Sequence, residues 1–170
     1  TVTIVHIAHP AKYLLLPIQE GSKEGQVKLE TGSPADTEMD IRLAIDSVEY
    51  YVPFALTQDE GGATVTIRNV AADALCWDSI KVSDTFDTTN RDKFRPLYHH
   101  TPLYGWMNDA NGLVYKDGEY HLYFQHNPYG SMWGNMHWGH SVSKDLVHWE
   151  HLDPAIVRDT LGHIFSGSAI

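Results

Sequence analysis

Gly112-Leu113-Val114-Tyr115-Lys116, Asp117-Gly118, Glu119-Tyr120-His121-Leu122-Tyr123-Phe124-Gln125: two runs rich in β-branched and aromatic residues meet at a pair suited to a tight reversal. Asp-Gly supplies the positive backbone angles that a two-residue hairpin turn needs, so the stretch predicts two antiparallel strands. Working outward, Met136-His137-Trp138-Gly139-His140-Ser141-Val142-Ser143 predicts a third strand. Val147-His148-Trp149-Glu150-His151-Leu152 predicts a fourth, after a turn at Lys144-Asp145. Four consecutive antiparallel strands between Gly112 and Leu152 make one sheet of propeller-blade size. Beyond Asp153-Pro154, Ile164–Ile170 reads as strand again, the start of a second blade.

Upstream the pattern is of shorter strands. Val2–Ile7, Tyr13–Ile18, Gln26–Glu30, Asp40–Ala44, Tyr50–Phe54 and Thr64–Ile67 are separated by turn clusters such as Glu20-Gly21-Ser22 and Glu60-Gly61-Gly62. Polar and apolar residues alternate in Gln26–Glu30 and Asp40–Leu43, as one wet and one buried face require. The spacing predicts a β-sandwich. No long stretch of helical period competes, so the expected fold class is all-β.

Composition divides the chain at the same place. Residues 1–90 hold 14 acids and 6 bases, and residues 91–170 hold 8 and 6. Aromatic residues run the other way, 6 before position 91 and 13 after it, and the second part carries nine of the 11 histidines. Two modules are expected, an accessory sandwich over 1–88 and a second β-domain over 89–170, joined through the polar stretch from Ser83 to Arg91. The formal charge of −10 repels phosphate backbones and anionic lipid, which excludes nucleic-acid partners. No apolar run approaches the roughly 20 residues of a membrane helix. The single cysteine, Cys76, excludes an internal disulfide and reads as a small buried hydrophobe. His137/His140 and His148/His151 have a spacing that on strands points the two rings to opposite faces, so no metal site is expected.

The chemistry concentrates in Trp106-Met107-Asn108-Asp109-Ala110-Asn111-Gly112, placed just before a strand. An aromatic face, two carboxamides and a carboxylate are what a sugar site uses; the same residues could also make a plain Asx-rich turn. The segment resembles the Trp-Met-Asn-Asp-Pro-Asn-Gly signature of glycoside hydrolase family 32, the enzymes of β-fructosides, with Ala110 in place of proline. Tyr123-Phe124-Gln125-His126-Asn127-Pro128, Trp133–Trp149 and Phe165-Ser166-Gly167-Ser168-Ala169 resemble further segments of that family, in order.

That resemblance implies a five-bladed β-propeller and retaining hydrolysis of β-D-fructofuranosidic bonds in sucrose, levan or inulin. It implies Asp109 as nucleophile at the anomeric C2, and Trp106, Asn108, Gln125, Trp133, Phe165 and Ser166 as residues that hold the sugar. A nucleophilic carboxylate needs hydrogen-bond donors rather than a dry apolar box. The partner is then a fructose-containing oligo- or polysaccharide, no cofactor is needed, and the substrate class implies export. Fructosyl transfer and non-catalytic fructan binding use the same pocket and are the alternatives. Retaining hydrolysis also needs a second carboxyl about 5–5.5 Å from the first. Asp117, Glu119, Asp145, Glu150, Asp153 and Asp159 lie in no matching motif, and about 80 residues cannot close a propeller whose blades take roughly 40–50 each. The expectation is the front part of a longer enzyme, partnered by its C-terminal remainder and inactive alone.

Overall fold

The computed structural model describes residues 1–8, 11–30, 37–56, 62–89 and 93–170. The described residues are all-β, with one short helix among them. Glu60 and Gly61 of the expected turn, and Asn90 and Arg91 of the expected linker, lie outside the described residues. The chain forms two compact units: residues 1–86 with 159–161, and residues 87–158 with 162–170.

In the first unit, β1 (Val2–Ile7), β3 (Gly25–Glu30), β4 (Thr37–Ile41) and β6 (Ala63–Arg68) form an antiparallel sheet in the order β1-β6-β3-β4. A second antiparallel sheet has the order β5-β2-β7, from β2 (Tyr13–Ile18), β5 (Tyr50–Ala55) and β7 (Lys81–Ser83). Alternate residues of both sheets make the core: Leu14, Leu16 and Ile18, Val52 and Phe54, Val27 and Leu29, Met39 and Ile41, Val65 and Ile67 are all at most 2% exposed. Two sheets that each bury one apolar face satisfy that burial jointly. Pro53 sits inside β5, tolerated because β5 is an edge strand with no second ladder to feed.

Three details differ from the sequence reading here. The fourth strand runs from Thr37 to Ile41 and not on to Ala44, whose backbone N–H turns to the Pro17 carbonyl. The single helical turn α1 (Cys76–Ser79) and the three-residue β7 have no sequence periodicity long enough to announce them. Tertiary bonds fix α1: Cys76 N–H donates to the Ala44 carbonyl and Leu75 N–H to that of Ile45. Cys76 is fully buried, and burial pushes its thiol up to about 11.

The second unit is one antiparallel meander of β8 (Trp106–Lys116), β9 (Glu119–Asn127), β10 (His137–Ser143) and β11 (Glu150–Ile156), in the order β11-β10-β9-β8. The β8–β9 turn has positive φ at both central residues, 53° at Asp117 and 88° at Gly118. Its interior is unusually polar. Phe124, Leu122, Met136 and Trp138 are buried together with His126, His137, Gln125, Asn127, Asn135 and Ser141. Burial lowers the pKa of His126 and of His137 to about 4, so both rings are neutral at physiological pH. Each hydrogen-bonds a carbonyl through Nδ1, His126 to Trp106 and His137 to Asn135, which makes Nδ1 the protonated nitrogen.

Here too the sequence reading needs correction. The signature residues do not precede the strand but form its first half, because β8 starts at Trp106. The last strand covers Glu150–Ile156 rather than Val147–Leu152, so Pro154 lies within it. β11 is an edge, where a missing N–H costs no ladder bond. Ile164–Ile170 forms no strand among the described residues. It runs instead against β8 and β10, through Gly112 N–H to the Gly167 carbonyl (3.1 Å) and Trp138 Nε1–H to the Phe165 carbonyl (2.9 Å).

Candidate active site

The register of β8 against β9 decides where the signature residues point. Met107 pairs with His126 and Ala110 with Phe124, so Asn108 and Asp109 together face a single partner residue, Gln125. A bulge of this kind re-aims side chains that a regular pleat would send to opposite faces. Here it offers both Asn108 and Asp109 to the side of Gln125. A second bulge lies between Asn111 and Val114, where Gly112 takes φ 55°. A Cβ at Gly112 would come within 2.8 Å of the Trp138 ring, so the close approach of strand and indole requires glycine.

Asp109 is exposed and receives two hydrogen bonds. Ser166 Oγ donates to its Oδ2 at 2.9 Å, and Asn108 Nδ2 to its Oδ1 at 3.3 Å. Around it are buried polar atoms without a protein partner: Asn108 Oδ1, Gln125 Nε2, both amide atoms of Asn111, and Trp106 Nε1. Gln125 is 2% exposed and Asn111 6%. Unsatisfied amides at that depth are costly in a folded chain. Their clustering beside one exposed carboxylate is the pattern of a site shaped for hydroxyl groups.

Trp133 and Phe165 stand on the flank, both largely exposed. They are joined through His163, whose ring lies 5.1 Å from that of Trp133 and 6.0 Å from that of Phe165. Asn127 organises the loop that carries Trp133. Its Nδ2 donates to the Met132 carbonyl, and its Oδ1 accepts from Tyr129 N–H and Asn135 Nδ2. The structure thus gathers Asp109, Asn108, Gln125 and Ser166, sets Trp106 opposite Asn127 on the same strand pair, and links Trp133 to Phe165.

Four other carboxylates of the second unit lie away from this cluster. Glu119, Asp145 and Glu150 line a cleft of about 330 Å³ that does not include Asp109. The His148 ring, with the backbone N–H groups of His148 and Val147, holds the Asp145 carboxyl below the usual carboxylate range. Asp117 occupies the hairpin tip. No cluster of three or more His, Cys, Asp or Glu side chains suited to a metal occurs among the described residues.

Comparison with known proteins matches the two parts of the sequence to two families. Residues 99–170 fit the glycosyl hydrolases family 32 N-terminal domain, and residues 1–98 fit a domain of unknown function, DUF4980. Residues 99–170 belong to glycosyl hydrolase family 32. The DUF4980 domain precedes the family 32 segment. A levanase of Bacillus subtilis is 58% identical over 89 residues, which is 52% of this chain and 13% of that protein. A sucrose-6-phosphate hydrolase of Zymomonas mobilis is 59% identical over 78 residues, 44% of this chain and 15% of that protein. The solved exo-inulinase of Aspergillus awamori is 46% identical, with a TM-score of 0.44 over 50% of this chain and 17% of that one. The chain therefore spans about 13–15% of the length of the curated relatives it matches.

Within the family 32 segment, sequence reasoning missed four residues that shape the site. Asn111 is one of the two carboxamides of the signature but is not among the residues that the resemblance assigns to the sugar. Asn127 and Trp138 lie in segments that resemble the family, but neither has a role of its own in the sequence reading. His163 gave no local signal: its role depends on Met136, whose N–H donates to His163 Nδ1 at 3.1 Å.

Proposed function

We propose that the chain carries the nucleophile half of a retaining β-fructofuranosidase. In this reading residues 1–88 are an accessory β-sandwich, and the four-stranded sheet is the first blade of a propeller. Asp109 attacks C2 of a terminal fructosyl unit. The bond from C2 to the leaving oxygen breaks as a second carboxyl protonates that oxygen, and water then releases fructose with retained configuration. Trp106 and Trp133 offer faces to the sugar carbons, while Asn108, Gln125 and Ser166 meet its hydroxyls. The second carboxyl is proposed to lie outside residues 1–170, so the chain alone should turn over nothing. Sucrose, levan and inulin are the proposed substrates, by analogy with the named relatives, and export follows from polymeric substrates of this kind.

The observation that carries the reading is the exposed Asp109 carboxylate, held by Ser166 and Asn108 on a bulge opposite the buried Gln125 amide, whose Nε2 has no protein partner. Its test is Asp109→Asn in the full-length enzyme, assayed on sucrose, inulin and levan. The carboxamide preserves shape and removes the nucleophile, so turnover should fall by about a thousandfold or more. A variant that kept more than about a tenth of wild-type activity would have lost barely 1.4 kcal/mol of transition-state stabilisation, and Asp109 would not be the nucleophile.

A further inference from the structure

Sheet edges are sites of unwanted pairing, and folded proteins usually block them with charge, proline, bulges or brevity. Nearly every edge of this chain carries such a device. β4 has Glu38 and Asp40, β5 has Pro53, and β7 is three residues long and begins with Lys81. β11 has Pro154, and β8 is doubly bulged and bonded by the Gly167 carbonyl. β1 has none. Val2-Thr3-Ile4-Val5-His6-Ile7 is six regular residues without Asp, Glu, Lys, Arg or Pro, paired on one side to β6 and on the other to no strand among the described residues. Val2 and Ile4 are 60% and 67% exposed. Along this edge runs a groove of about 460 Å³ lined chiefly by Val5, Ile7, Leu14, Trp77, Ile80 and Val82.

We propose that β1 is a self-association edge, and that two copies of this chain pair β1 to β1 antiparallel about a twofold axis. An isologous contact must be self-complementary, and this strand is. Opposed residues in an antiparallel pair share a face, so the twofold register sets Ile4 against Ile4, Val2 against His6, and Thr3 against Val5 of the second copy. The exposed apolar residues of one edge then cover those of the other, and the inward-facing residues of the second strand close the groove. Charge selects the same edge. Residues 1–90 carry 14 acids against 6 bases, so most approaches of two copies are repulsive. β1 and β6 together contain no acid, and their one charged residue, Arg68, pairs with Val2 at the strand end, so the twofold holds the two guanidinium groups at opposite ends.

Sedimentation velocity on the full-length protein across the micromolar range tests this. The wild type should pass from monomer to dimer. Ile4→Lys and Ile4→Glu, each alone, place like charges face to face across the axis and should weaken dimerisation by about tenfold or more. Mixed in equal amounts, the two variants should form a heterodimer, because Lys now opposes Glu. Ile4 is largely exposed, so both variants should keep the wild-type far-UV spectrum and, at concentrations where the wild type is monomeric, its melting temperature. A wild type that stays monomeric throughout overturns the proposal. So does dimerisation unaffected by either substitution, or a mixture of the two variants that remains monomeric.

Discussion

Ser166 Oγ donates a 2.9 Å hydrogen bond to Asp109 Oδ2 across 57 positions of sequence. The segment that bears Ser166 is pinned on either side by other groups, Trp138 Nε1–H to the Phe165 carbonyl and Gly112 N–H to the Gly167 carbonyl. Removing the hydroxyl should therefore leave the segment in place. For Ser166→Ala we expect kcat/KM to fall by roughly 10- to 150-fold, as the loss of about 1.5–3 kcal/mol from a hydrogen bond to a charged group implies. The urea midpoint should be nearly unchanged. Wild-type kinetics in this variant would disconnect Ser166 from the proposed nucleophile.

Asn127→Ala should act through Trp133. The side chain is 5% exposed and makes three hydrogen bonds to the loop around that indole. Leaving those groups unpaired costs about 1–3 kcal/mol of stability and frees the loop. KM should rise more than kcat falls, since Trp133 is proposed to bind sugar rather than react with it. Asn127→Asp keeps the acceptor oxygen and loses the donor to Met132, so its KM should fall between the two.

Gly112→Ala tests the close packing under the site. Its φ of 55° costs an L-residue about 1–2 kcal/mol. The added methyl would also meet the Trp138 ring at 2.8 Å and Tyr123 at 2.9 Å. Overpacking of that kind adds about 1–3 kcal/mol, for a total of about 2–5 kcal/mol. Tryptophan fluorescence in urea should report the loss, since four of the five tryptophans lie in this part of the chain.

The buried histidines should make the second unit sensitive to acid. His126 and His137 titrate near 4 in the folded chain, chiefly because burial disfavours the imidazolium, and near 6.5 when unfolded. Between those values the unfolded chain binds protons that the folded chain does not. Stability is then complete above about pH 6.5 and declines as pH falls toward 4, by roughly 3 kcal/mol for either ring taken alone. Urea midpoints measured at pH 7.5, 6 and 5 should fall in that order. A flat profile would mean that these rings are already charged in the folded state.

Local chemistry explains which features were legible. The turn at Asp117-Gly118 needs only two residues with positive φ, and the alternation in Gln26–Glu30 needs only one buried face. β8 was legible from Gly112 onward but not before it, because its two bulges break the period of two that identifies a strand. The end of β11 was hidden for a related reason: proline is compatible with an edge strand though not a central one, and edge position is a property of the whole sheet. Asp109, Asn108 and Gln125 could be singled out by resemblance, yet the bulge that sets two of them against the third cannot be read from composition. The contact between Ser166 and Asp109, and the bridge from Trp133 through His163 to Phe165, join segments tens of residues apart and leave no local trace.

The bulges also constrain how the chain can change in length. β8 spends 11 residues where β9 spends nine, and each surplus residue is committed at a fixed place. Deleting one residue between Met107 and Ala110 would restore an even pleat, but it would either slide Trp106 off Asn127 or leave Gln125 opposed to one side chain instead of two. An insertion at the Asp117-Gly118 tip would disturb neither pairing. Variation among functional relatives, natural or engineered, should accordingly collect at that tip, while the interval from Trp106 to Gly112 keeps its count of residues even where their identities drift.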